Sequence, residues 1–298
     1  MSTQSVMNAD ASLPVVAAPA GPPPPVAGTG FDGDPGAAGR AGPLGSVVLR
    51  NVSKAYGLGP DAVAALDDIS LEVGRREFVC VVGGSGCGKS TLLHLVGGLD
   101  RPTRGEVVLP AGDAALMFQD AALFPWLTAA GNVELAVRLA GGGRLADRAA
   151  RRRRVGELLE AVHMGDFADR RPHQLSGGMR QRVALARALA QDRPVLLMDE
   201  PFGALDAITR DLLQDEVERV WQETPVSVVF VTHNVREAVR LGDRVVVLSS
   251  RPGRVVAEFA VDIGRPRRIE SPAVAALATV ITDRLREEVR RHGGDRRG

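Results

Sequence analysis

The residues best suited to chemistry lie in one run, Gly83-Gly84-Ser85-Gly86-Cys87-Gly88-Lys89-Ser90-Thr91. It fits G-x-x-x-x-G-K-[ST], with the apolar run Phe78–Val82 before it and Leu92–Val96 after it. A strand entering and a helix leaving is the context in which this pattern binds phosphate. Glycines let the backbone curl so that successive N–H groups point inward, and the helix N-terminus adds a favourable dipole. Lys89 is then expected to reach the β- and γ-phosphates of a nucleotide, and the Ser90 hydroxyl to ligate Mg²⁺.

Such a phosphate loop needs acids opposite it. Val195-Leu196-Leu197-Met198-Asp199-Glu200 is an apolar strand ending in two carboxylates, and ligands of parallel sheets bind at the carboxyl ends of strands. Asp199 is the candidate Mg²⁺ ligand, and Glu200 the group that orients and polarises an attacking water. Between loop and acids lies Leu175-Ser176-Gly177-Gly178-Met179-Arg180-Gln181-Arg182. A hydroxyl and two glycines opening a helix make a second anion cradle, although a plain helix cap uses the same residue types. One nucleotide does not need two cradles in one subunit, so the economical reading is that Ser176, Gly177 and Gly178 cap the γ-phosphate held by another copy.

With these elements in this order, the sequence resembles the ABC (ATP-binding cassette) ATPases over about residues 46–265. Met179 replaces the family's usual glutamine but leaves the serine and both glycines in place. The resemblance implies ATP and Mg²⁺ as ligands and assigns further positions. Tyr56, the only tyrosine, stands where the family stacks an aromatic ring on adenine; without that context it reads equally as a packing residue. Gln119 matches the glutamine that senses Mg²⁺ and water, Asp206 the acid of the loop after the catalytic strand, and His233 the switch histidine at the γ-phosphate. Asn234 departs from the usual aspartate, and an adjusted loop rather than lost catalysis is expected. The implied fold is α/β: a P-loop NTPase core with a mostly parallel sheet, an antiparallel β subdomain and a helical subdomain.

The same resemblance implies partners. Two copies close head to tail around ATP, and the motor seats on membrane permease subunits through a segment near Gln119–Thr128, serving a solute-binding protein indirectly. Leu123–Thr128, Leu205–Arg210 and Ser250–Arg254 look like importer ATPases of the nitrate/sulfonate/taurine group. A motor does not touch the cargo, so these segments report lineage and not substrate. The implied location is the cytoplasmic face of the membrane.

The elements that must position these residues are also legible. Strand-like runs occur at Val47–Leu49, Ile69–Val73 and Glu106–Leu109. Apolar ones follow at Phe78–Val82, Ala115–Phe118, Val195–Met198, Val226–Val231 (interrupted only by Ser227) and Val245–Leu248. Helical patterns lie at Leu145–Ala161, Met179–Ala190, Arg210–Glu223 and Ala273–His292. Strands alternating with helices predict a largely parallel sheet covered on both faces. Residues 120–175 read as a helical insertion, 266–298 as a C-terminal helical extension, and the Ala/Pro/Gly-rich residues 1–45 as a disordered tail.

Composition narrows the rest. Lysine occurs only at Lys54 and Lys89, which gives each some weight as a functional residue. Net charge is +1, so no global field favours nucleic acid, and Arg151–Arg154 reads as a solvated helix face. No apolar run approaches the ~18 residues of a membrane span, no signal peptide is recognisable, and any membrane role is peripheral. The two cysteines, Cys80 and Cys87, form no disulfide framework and suit a reducing compartment. Inward N–H groups and Lys89 are expected to make Cys87 a reactive thiolate. A nucleic-acid-associated ABC ATPase would need a long coiled-coil insertion or a second cassette. A P-loop kinase would leave Leu175–Met179 unexplained, and an export motor often carries a fused permease.

Overall fold

The run Phe78–Val82 has no polar side chain, and all five residues are buried. A strand can lose both faces to the interior only if layers cover each side, and this strand sits inside a sheet that is covered in that way. The computed structural model describes residues 47–57, 59–109, 113–140 and 147–294; the tail expected over 1–45 lies outside them. In chain order the elements are β1 (Val47–Tyr56), β2 (Val63–Val73), β3 (Phe78–Val82), α1 (Lys89–Val96), β4 (Arg104–Val108), β5 (Ala114–Met117), α2 (Ala129–Ala140) and α3 (Arg148–Ala161). There follow α4 (Gly177–Leu189), β6 (Val195–Asp199), α5 (Ala207–Glu223), β7 (Ser227–Thr232), α6 (Val235–Leu241), β8 (Arg244–Leu248), β9 (Val255–Ala260) and α7 (Pro272–Gly294).

The main sheet has six strands in the order β5-β6-β7-β3-β8-β9, parallel except for β9 against β8. Side chains of β3 alternate between two cores, as the period of a strand requires. Phe78, Cys80 and Val82 join a core built with the helical layer, including residues of α2, α3, α4, α6 and α7. Val79 and Val81 join a second core with α1 and the separate antiparallel sheet β2-β1-β4. The site therefore forms where the two layers meet at the carboxyl ends of β3, β6 and β7.

The insertion between β5 and α4 is helical, as expected, and consists of α2, α3 and short 3-10 turns. Asp147 caps α3 by accepting from the N–H groups of Ala149 and Ala150, at 3.1 and 3.0 Å. The loop entering α2 is fixed by buried Asn132, which accepts from Phe124 N at 2.8 Å and donates to the Thr128 carbonyl at 3.0 Å. The helix after residue 265 buries Val274, Leu277, Ala278 and Ile281 in the same core as Phe78.

Two elements had no counterpart in the sequence reading. Strand β9 (VVAEFA) pairs at the sheet edge, where Glu258 meets Arg244 at 2.6 Å. Helix α6 spans seven residues, too few to establish a helical period, and it exists because Asn234 caps it. Strand β1 runs on to Tyr56 through register shifts that polar Asn51, Ser53 and Lys54 concealed.

Candidate functional site

The loop from β3 into α1 has the conformation its glycines were expected to allow. Gly86 and Gly88 sit at φ 73 and 97, a left-handed region that disfavours other residues. Contact adds a second constraint at Gly88, where a β-carbon would come within 2.6 Å of the Leu66 side chain and 2.7 Å of the Ala65 carbonyl. No side chain caps α1, so its first N–H groups remain available to a ligand. The Lys89 ammonium folds back over the loop, donating to the carbonyls of Gly83 and Gly84 at 3.0 and 3.1 Å. It also lies 3.8 Å from Glu200 Oε1.

Glu200 is itself unusual. Its φ is 44, a left-handed value for a residue with a side chain, and such strain is found where surrounding structure enforces it. Here Glu200 N donates to the Val231 carbonyl at 2.9 Å, which turns the chain sharply at the end of β6. The carboxylate then lies between Lys89 on one side and His233 on the other, with His233 Nδ1 at 2.9 Å from Oε2.

Tyr56, Ser85, Gly86, Gly88, Lys89, Ser90, Thr91, Gln119, Asp199, Glu200 and His233 all line one cleft of about 400 Å³. Lys54, the other lysine, stands 4.9 Å from the Tyr56 ring centroid and bonds Asp100 at 2.6 Å. It therefore buttresses the aromatic ring rather than facing phosphate. Gln119 is held from behind: its carbonyl accepts from Gln181 of α4 at 2.7 Å, and Arg187 of the same helix bonds the Ala121 and Ala122 carbonyls.

The donors that converge suit a hard divalent ion. Among the described residues no group of three His, Cys, Asp or Glu could hold a metal. Ser90 and Gln119 offer hydroxyl and amide oxygen, and Asp199 one carboxylate. Mg²⁺ typically uses such a sparse oxygen set, completed by water and substrate phosphate.

Other expected site residues lie outside the cleft. Ser176 caps α4, accepting from Met179 N at 3.2 Å, and Asp206 caps α5, accepting from Thr209 N at 3.0 Å. Backbone donation from Thr209 holds the Asp206 carboxyl below the usual range. The two turns pack on each other: a β-carbon on Gly178 would lie 2.2 Å from Thr209 Cγ2, and one on Gly177 3.6 Å from Leu205. Ser176 and Gly177 are exposed at the start of α4, while Gly178 is buried against Thr209.

One expectation is corrected. Cys87 does not stand exposed as a thiolate: it is 1% accessible, a β-carbon on Gly83 would press within 2.5 Å of its sulfur, and burial raises its pKa despite Lys89. Asn234 is explained. It caps α6 by accepting from Arg236 N at 3.0 Å, and its own N–H bonds Thr232 Oγ1 at 3.0 Å. That hydroxyl in turn donates to buried Glu237 at 2.8 Å, whose pKa burial raises. An amide here avoids a second carboxylate beside Glu237. The sequence reading missed Val63, Ala65 and Arg251, which also line the cleft. Ser250–Arg254 had been singled out only as a mark of lineage.

Comparison with known proteins gives a consistent picture. The family model described as ABC transporter matches residues 66–203. An uncharacterised ABC transporter ATP-binding protein of Methanocaldococcus jannaschii is 44% identical over 81% of this chain and 91% of its own length. A taurine import ATP-binding protein of Burkholderia thailandensis is 44% identical, covering 74% of this chain and 86% of that one. A bicarbonate transport ATP-binding protein of Synechocystis is 43% identical over 82% of this chain but only 38% of its own length. Among solved structures, an ATP-binding cassette captured as a post-hydrolysis dimer with ADP and Pi is 36% identical. It superposes with a TM-score of 0.65, covering 73% of this chain and all of the other.

Proposed function

The chain belongs to the ABC transporter ATP-binding family and is an ATPase of that family, and from this premise we propose that it is the motor subunit of an importer for a small polar or anionic solute of the nitrate, sulfonate, taurine or bicarbonate kind. The observation that carries the reading is the division of the site. Phosphate loop, carboxylates, Gln119 and His233 line one cleft, while Ser176 and Gly177, exposed at the start of α4, lie outside it.

In the cleft, Tyr56 stacks the adenine and the loop N–H groups from Ser85 to Thr91 hold the phosphates. Lys89 leaves the Gly83 and Gly84 carbonyls to neutralise the β- and γ-phosphates. Glu200, fixed between Lys89 and His233, accepts a proton from the attacking water as its oxygen bonds the γ-phosphorus and the bond from that phosphorus to the β,γ-bridging oxygen breaks, leaving ADP and phosphate. His233 orients Glu200 and contacts the γ-phosphate. Ser90, Asp199 and Gln119 would hold Mg²⁺, which would offset the charge spread over the phosphate oxygens. Ser176, Gly177 and Gly178 of a second copy close the γ-phosphate side, with Asp206 at the same junction.

A surface for the permease lies beside the cleft. Phe118, Phe124, Leu99 and Leu139 border a groove of about 500 Å³, and Trp126, 68% exposed, packs on Phe124 with ring centroids 5.3 Å apart. Such an apolar patch rimmed by Arg187 and Arg193 suits a short amphipathic segment of a membrane partner. Phe118 of the groove immediately precedes Gln119 of the cleft in the chain, which gives docking there a direct route to the site. No helix among the described residues is long and apolar enough to cross a membrane, which leaves the proposed attachment, on the cytoplasmic face, to this surface.

The reading is tested by reconstitution. The chain should co-purify with a two-subunit permease, and solute-loaded binding protein should raise its ATP hydrolysis in proteoliposomes. Trp126→Glu should break co-purification while leaving ATP binding intact. Retained permease capture in that variant would move the docking surface elsewhere.

A further inference from the structure

The turn between β8 and β9 lies against the phosphate loop, and its fit there is built rather than incidental. Gly253 approaches so closely that a β-carbon on it would come 2.1 Å from the Cys87 carbonyl oxygen. Its N–H donates to the Ala65 carbonyl at 2.9 Å, and its own carbonyl accepts from Asp67 N at 2.9 Å. Within the turn, Ser249 Oγ donates to the Pro252 carbonyl at 2.8 Å and accepts from Arg254 N at 2.9 Å. Arg254 pairs with Asp67 of β2. One turn is thereby pinned to both the antiparallel sheet and the loop that curls around phosphate.

What this turn carries into the cleft is Arg251. Its Nε donates to the Gly86 carbonyl at 3.3 Å, and Nη2 lies 3.7 Å from the point where a Gly86 β-carbon would sit. The guanidinium is exposed and lines the same cleft as Lys89 and Ser90. Its neighbours differ from it in one respect. Lys89 has Glu200 at 3.8 Å, and Arg254 has Asp67, whereas no carboxylate among the described residues pairs with Arg251. A guanidinium has five N–H donors, and the bond to Gly86 uses one. The other donors of this cleft-lining, exposed guanidinium have no protein partner among the described residues, and the turn that carries it is tied to β2 and to the phosphate loop.

We propose that Arg251 is a further nucleotide-binding residue, contacting the polyphosphate in the cleft it shares with Lys89. The proposal rests on the cleft being an ATP site. Lys89 enters from the start of α1, and Arg251 from the edge of the sheet, so the phosphates meet two cations supplied by distant parts of the chain. Planar arginine suits this role, because it can hold Gly86 and a phosphate oxygen with different nitrogens at once.

The test is equilibrium titration with a fluorescent ATP analogue displaced by unlabelled ATP or GTP. Titrations are made in the full chain carrying Ser176→Arg, so that each reads a cleft without a partner's cradle. Arg251→Ala and Arg251→Gln should each weaken ATP about tenfold, the scale of a charge-assisted hydrogen bond, and Arg251→Lys should recover most of the loss. GTP should weaken by the same factor as ATP, because the contact is to phosphate. Melting without nucleotide should be unchanged in Arg251→Gln, which keeps a donor for the Gly86 carbonyl. ATP affinity within twofold of the parent in both Ala and Gln variants would overturn the proposal. So would a loss confined to ATP, which places Arg251 at the base, or a loss in Ala that Gln restores, which makes it a tether of the loop. Lys89→Ala in the same background is the control. If it too leaves binding unchanged, the cleft is not the ATP site; if it abolishes binding while Arg251 variants do not, only the inference about Arg251 fails.

Discussion

Two helices of this molecule begin with glycine beside a residue suited to anions, and they are finished in opposite ways. Helix α1 starts at Gly88, left-handed and without a side-chain cap, and the cleft in front of it is walled by the chain's own Asp199, Glu200, Gln119, His233 and Arg251. Helix α4 starts at Ser176, whose hydroxyl already accepts from Met179, and its glycines pack on Leu205 and Thr209. None of the acids surrounding the first helix lines the second. An N-terminus with its partners assembled is a binding site in one chain. An N-terminus with the same residue types but without those acids beside it becomes one when another surface supplies them, and the proposed second copy would do so.

The comparison breaks most plainly at Lys89. Lys89→Ala should eliminate measurable ATP binding and lower hydrolysis by on the order of 10³-fold or more, since Lys54 is committed to Asp100 and the Tyr56 ring. Normal steady-state phosphate release by that variant would remove the first cradle from the mechanism. Next in size is Glu200→Gln, which keeps the shape of the strained turn but not the proton acceptor. Hydrolysis should fall about 10²- to 10³-fold with ATP affinity kept, and the variant should elute as a dimer with ATP and Mg²⁺. A monomer under those conditions, or wild-type turnover, would contradict the assignment of Glu200.

Ser176→Arg addresses the second cradle alone. ATP binding should stay within about twofold while hydrolysis drops roughly 10²-fold, with a further stability cost of about 1 kcal/mol from the lost cap. Mixing this variant with Lys89→Ala should recover activity, because one site of the mixed pair is intact. Normal hydrolysis by Ser176→Arg alone would reduce Ser176 to its role as a helix cap.

The smallest effect concerns the connection between the regions. Arg210, 3.6 Å from Glu237, donates to the Leu205 carbonyl beside the second cradle, while Glu237 bonds Thr232 next to His233 of the first. Burial holds the Glu237 carboxyl above its ordinary value of 4.5. The folded chain therefore keeps this proton longer than the unfolded chain. Its stabilising contribution is present below that value and is lost as pH rises through the raised one. Urea unfolding of the wild type measured against Glu237→Gln should show the wild type losing relative stability as pH climbs above the carboxyl's ordinary value of 4.5. A rise instead would mean that the Arg210 pair outweighs burial.

The strands of the central sheet were legible because burial on both faces leaves runs that are apolar almost throughout, with polar residues mostly at their ends. Phe78–Val82 coincides with its strand, and the other parallel strands lie within a residue or two of their apolar runs. The phosphate loop was legible because positive φ at Gly86 and Gly88 requires glycine, and because a lysine in a chain with only two cannot be lost among others. Strand β9 and helix α6 were not, since an edge strand carries polar residues and seven residues do not establish a period.

Side-chain environment was decided only by the fold. Cys87 has neighbours in sequence that favour a thiolate, yet Gly83 lies against its sulfur and it is buried in the core that also holds Leu248, so desolvation wins. Arg251 lies 165 residues from Gly86, and nothing local marks it as part of the site. Sequence alone determined which residues could curl around phosphate and which strand would deliver acids to it, because those properties belong to backbone conformation and apolar periodicity. Tertiary structure decided which charges find a partner, which thiol loses water and which cradle is left open. Those depend on distances between segments that the order of residues does not contain.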